Sequence, residues 1–89
     1  MISYRDNGNS GYGTSIVGTV SSTSISFGSA TVFESAEVVL VSSTFDTTNN
    51  KVVVCYGDSG NSNIGTAIVG TVSSTSISFG TAAVFSGSE

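Results

Sequence analysis

The chain contains no histidine, one cysteine and only two cationic side chains. Each shortage excludes something. Without histidine, the commonest metal ligand and the commonest general base are both missing. A lone Cys55 cannot close an intramolecular disulfide, so no covalent cross-link supports the fold. Arg5 and Lys51 face six carboxylates (Asp6, Glu34, Glu37, Asp46, Asp58 and Glu89), and the net charge is −4. Two cations cannot build the basic patch that nucleic acid requires, so no nucleic-acid partner is expected. No stretch approaches the roughly 18 apolar residues of a transmembrane helix, and no membrane partner is expected. Residues 1–6 lack the basic and apolar regions of a signal peptide. Location stays open: richness in Ser, Thr, Gly and Asn with almost no Lys is compatible with an extracellular or virion protein.

What is present argues for order. Val, Ile and Phe recur in clusters, and 38% of the residues are hydrophobic, unlike a disordered tail. At 89 residues the core is thin, which makes self-association the remaining route to extra burial.

The dominant feature is an internal repeat. Residues 4–37 lie over residues 56–89 at an offset of 52, with 24 identities in 34 positions. The run IVGTVSSTSISFG is identical at 16–28 and 68–80. The segment Val38–Val52 occurs once, so the chain holds about 1.7 repeats (89/52) and starts and stops inside the unit.

The local pattern is all-β. Val, Ile, Thr, Tyr and Phe dominate, Gly and Ser interrupt them at strand-and-turn intervals, and no window shows helical apolar spacing. One period predicts four strands: Glu37–Phe45, Lys51–Tyr56, Thr66–Val72 and Ile77–Phe85. The first copy supplies three: Met1–Arg5, Thr14–Val20 and Ile25–Phe33, seven in all. The division expected is one repeat domain, 1–89, with a partial blade at 1–35 and a complete blade at 36–89. VVVCY and AIVG do not alternate with polar residues, which predicts strands covered on both faces. Ile77 and Phe79 alternate with Ser76 and Ser78, as in a half-exposed outer strand. Asp46–Asn50 offers side chains that mimic a backbone turn.

Four antiparallel strands per period, graded from buried to exposed, fit a β-propeller blade. The segment STFDTTNNKVVVCYGDSGNSNIGTAIVGTVSSTSISFGTAAVF resembles repeats of large microbial and phage propeller-like proteins. These carry an F-D-x-x-x-N-K-V-V-V-x-Y core followed by a Gly-Thr-x-Ile-Val-Gly-Thr-Val strand. The resemblance covers the whole chain and implies a repeat type, not an activity. In size and architecture the chain is also similar to small two-blade lectins that close a propeller by oligomerising; no sugar-binding residue is carried over. Two blades cannot close a ring and would leave apolar faces open. The expected partner is therefore the chain itself, as a cyclic homo-oligomer from a trimer to a pentamer, with heterologous contacts. A β-sandwich, a β-solenoid, and a fragment of a longer phage or surface array stay open as alternatives.

Candidate sites are sparse. The Asp-x-Gly-Asn-Ser loop occurs twice, so Asp6 and Asn9, with Asp58 and Asn61, are candidate ligand-binding residues. One carboxylate per loop is too few for calcium, and the spacing misses the EF-hand pattern. A β-turn closed by Asp is the simpler reading. Tyr12 is the best candidate sugar platform, since it sits in a loop, although its counterpart is Ile64. Tyr4 and Tyr56 end strands and are expected to pack, with their hydroxyls bonded. Cys55, between Val54 and Tyr56, is expected to be a buried, inert thiol. Arg5, whose counterpart is Gly57, is expected to be a solvent-facing turn residue, with a bidentate carboxylate contact as the alternative. A serine nucleophile would lack a base, so no catalytic residue, metal or cofactor is expected. The expected role is non-catalytic and structural, a self-assembling module; multivalent binding of glycans is the alternative.

Overall fold

The computed structural model describes residues 1–87. Glu89, which aligns with Glu37, lies outside the described residues. The chain forms strands throughout, joined by short turns: β1 (Ile2–Asp6), β2 (Tyr12–Ile16), β3 (Gly18–Ser21), β4 (Ser24–Phe27), β5 (Thr31–Asp46), β6 (Lys51–Asp58), β7 (Ile64–Ser73), β8 (Ser76–Phe79) and β9 (Ala83–Ser86). All pairings are antiparallel, in a sheet of order β1-β2-β5-β6-β7-β8, with β9 also on β7 and β3–β4 as a separate ribbon. The sheet curls into a half-barrel. The all-β, antiparallel expectation is met.

The repeat in sequence is a repeat in register. Tyr4 pairs with Thr14 in β1–β2, and Tyr56 with Thr66 in β6–β7. Gly18 opposes Phe27, and Gly70 opposes Phe79. Thr14 opposes Val32 and Thr66 opposes Val84, each beside the same bulge. The hairpin turns repeat too: Ser22 and Ser74 have φ of 57° and 58°, and the Ser24 and Ser76 hydroxyls each donate to the Ser21 and Ser73 carbonyls at 2.9 Å. At one cross-strand pair both members differ between the copies. Ser3 faces Ser15, their hydroxyls 2.8 Å apart, and the counterparts Cys55 and Ala67 form an apolar cross-strand pair.

Three expectations are corrected. The seven strands are nine among the described residues: breaks at Val17, at 28–30 and at 80–82 divide three of them, and the piece from Thr31 runs on into the next strand as β5. The strands at 51–56 and 66–72 are covered on one face rather than two. On β6, Val52, Val54 and Tyr56 are buried while Val53 and Cys55 are only partly so; on β7, Val69 is exposed. A single curled sheet has one inner face, and alternation sends every second side chain outward whatever its chemistry. Cys55 is consequently half-buried, not buried.

The two copies share one sheet because β5 is continuous across the expected 35/36 division. Its first residues pair with β2, and Val38–Asp46 pair with β6. Asp46 ends it with the expected turn: its carboxylate accepts from the Thr48 amide at 3.0 Å and from the Asn49 side-chain amide at 2.8 Å. These bonds, that to Asn49 first, hold its pKa below the usual carboxylate value.

The core lies on the inner face: Phe33, Val38, Val52, Val54, Tyr56 and Ile68, with Met1, Val41 and Phe79 packed against it. Val38 and Val41 both reach it because of a bulge between Val39 and Ser42. The bulge leaves Leu40 at φ 53° with 89% of its surface exposed. The left-handed region costs a leucine about 1–2 kcal/mol. Glycine recovers that cost but gives back roughly 0.5–1 kcal/mol in chain freedom. Leu40→Gly is therefore expected to raise stability by about 0.5–1 kcal/mol in urea unfolding, since no burial is lost.

Phe33 shows how the copies join. Its ring lies on Gly13, where an added Cβ would sit 2.5 Å from it, and its centroid is 5.1 Å from that of Tyr56 and 5.6 Å from that of Phe79. Phe33 is 8% exposed, whereas its counterpart Phe85 is 67% exposed. Phe33→Ala is expected to cost about 3–5 kcal/mol. Phe85→Ala, in dilute protein, should stay within about 0.5 kcal/mol of the parent. Denaturant midpoints for the two variants check the difference.

Candidate functional site

The two Asp-x-Gly-Asn-Ser loops are built alike. Asp6 and Asp58 precede short 3₁₀ turns, Asn7–Asn9 and Ser59–Asn61, and each carboxylate accepts from the amide two residues on, Gly8 or Gly60, at 3.1 Å. Ser10 and Ser62 follow at φ 57° and 59°. The Asp6 and Asp58 carbonyls then accept from the Gly11 and Asn63 amides at 2.9 Å. These bonds are those of an Asp-closed turn. Asn9 and Asn61 are exposed.

The structure does not bring the two loops together. Asp6 is level with Tyr12 and Glu37, and Asp58 with Val38, so both cap the same end of the sheet. Three strand steps separate β1 from β6, about 14 Å along an open sheet. Among the described residues no group of three or more His, Cys, Asp or Glu could hold a metal ion.

The first loop carries a brace that the second lacks. Arg5 forms an ion pair with Glu37 and donates through Nε to the Asn7 side-chain oxygen Oδ1 at 2.8 Å. Tyr12, level with Glu37, is half-buried rather than a free platform. Gly57 stands in place of Arg5. The second turn packs on β5, and the Ser59 hydroxyl donates to the Asn63 side-chain oxygen at 2.7 Å.

Tyr56 is 3% exposed, and its hydroxyl donates to Glu34 Oε1 at 2.8 Å, the bonded packing expected. The residues it touches, Phe33 and Glu34, have the counterparts Phe85 and Ser86. Those two line an open groove of about 570 Å³ with Val39, Leu40, Gly57, Asn63 and Gly65. Sequence reasoning missed this groove. Its signal was present: Phe33 and Phe85 follow Gly13 and Gly65 at the same interval, and each ring lies over its glycine.

The chain matches no protein-family model, and no match was found among curated proteins or solved structures.

Burial, followed by the bond to Glu34, raises the pKa of Tyr56 well above the ordinary tyrosine value. The unfolded chain ionises this phenol near pH 10, whereas the fold holds it neutral. The contribution to stability is thus complete below about pH 10 and is lost as pH rises above it toward the folded pKa. Stability measured from about pH 8 to 12 should fall at the alkaline end, and Tyr56→Phe should flatten that fall.

Proposed function

We propose that the chain is a non-catalytic repeat module whose role is structural and whose partner is itself. The observation that carries this reading is unequal burial of equal residues. Ile77 is 6% exposed and Ile25 50%; Val17 is 7% exposed and Val69 46%. One copy's trailing side and the other's leading side cover each other at the centre of the molecule, and the same two sides stay open at its ends. Large open apolar surfaces mark interaction sites in soluble proteins.

The contact is heterologous, since the two open sides differ, so it must close into a ring or grow into fibres. The curl of the sheet supports closure, because each added unit turns the chain of repeats. A ring from a trimer to a pentamer, in the manner of a β-propeller, is the form proposed. Its subunits would be joined by the side-chain packing that joins the two copies here, without the shared strand β5.

The polar turns favour the structural reading over glycan binding, because the Asp6 and Asp58 carboxylates are turned into their own loops. Light scattering coupled to size exclusion tests the proposal. The 8.9 kDa chain should elute as a discrete multiple whose population rises with concentration. A monomer at every concentration contradicts it.

A further inference from the structure

We infer that Phe85 of one copy docks against Tyr4 and Phe27 of a second copy, with the second copy's Tyr4 entering the groove beside Phe85. This rests on the self-association proposed above and names its contact.

The template is inside the molecule. Phe33 lies on Gly13 and is enclosed by Tyr56 and Phe79, both from the following repeat. Phe85 has the same floor: an added Cβ on Gly65 would sit 2.8 Å from its ring. It lacks the two enclosing rings, and the groove opens in their place. The counterparts of Tyr56 and Phe79, by the offset of 52, are Tyr4 and Phe27. Tyr4 is partly exposed and Phe27 is 49% exposed. Ile25 beside it is 50% exposed, although Ile77 in the same sequence is 6% exposed. The open groove and the open rings are therefore the two halves of a contact the chain already makes once. The same glycine floor and the same pair of rings, with Ser86 in place of Glu34, make a second copy the occupant.

The same template sets the strength. At the internal junction the side-chain packing is joined by the pairing of Val38–Asp46 with β6. That segment occurs once per chain, so the second copy meets the groove through side chains without that ladder. The association is consequently weaker than the internal junction and depends on concentration.

Complementary variants test this. Phe85→Asp removes the trailing half and Phe27→Asp the leading half. Sedimentation of each variant alone should show association weakened at least about thirtyfold, as for a central aromatic anchor. An equimolar mixture should form a 1:1 heterodimer that grows no further, because each variant retains the half that the other lacks. Val69→Asp and Ile25→Asp repeat the test should either phenylalanine variant fail to show the parent's circular dichroism. Wild-type association with both variants unimpaired overturns this contact while leaving self-association standing. Variants that fail to pair in the mixture overturn the head-to-tail arrangement. A wild-type chain that stays monomeric at millimolar concentration overturns both, and assigns the groove to a different occupant.

Discussion

The packing of Phe33 between two copies of the repeat holds the molecule together. Neither copy buries that ring alone: Gly13 lies beneath it, and Tyr56 and Phe79 close over it from the next repeat. The surrounding core follows from this placement. Val38 and Val54 are fully buried because β5 runs without interruption from the first copy's sheet into a hairpin with β6. A chain with two cations, no disulfide and a thin core depends on such a junction, since apolar burial is the main favourable term available to it.

The same constraint gives the molecule two unlike ends. Repeat proteins bury continuous cores by stacking units, and a side without a neighbouring unit stays open. Here β1 forms a sheet edge although its counterpart β6 is paired on both sides. The edge is short and carries Arg5, features that discourage uncontrolled strand addition. The opposite end has Phe85, Leu40 and Val69 exposed.

Much of this was legible in the residues. The offset of 52 transferred directly into hydrogen-bond register, because identical side chains impose identical alternation and identical turns. Asp46, Asp6 and Asp58 announced their turns through their own short side chains. The continuity of β5 was not legible, since Phe33-Glu-Ser-Ala-Glu37 contains no apolar run. The outward face of β6 was hidden for the opposite reason: Val53 reads like Val52 and Val54, and only the curl distinguishes them. Leu40 was hidden within four consecutive apolar residues, where a bulge leaves no mark. Asp6 and Asp58, candidate ligand residues by their repeated loop, close the turns that their spacing announced. The groove escaped notice because it is defined by partners that one copy has and the other lacks.

The central claim is that equal residues occupy unequal environments, and that the open set awaits a second copy. Aromatic-ring NMR over a dilution series tests it most directly. The account predicts that Phe33 and Phe79 resonances are shifted by neighbouring rings and stay constant on dilution. It predicts that Phe27 and Phe85 resonances resemble those of solvated rings at low concentration and move together as concentration rises. Phe85 and Phe27 resonances that do not change with concentration, or that match those of Phe33 and Phe79 throughout, would contradict it.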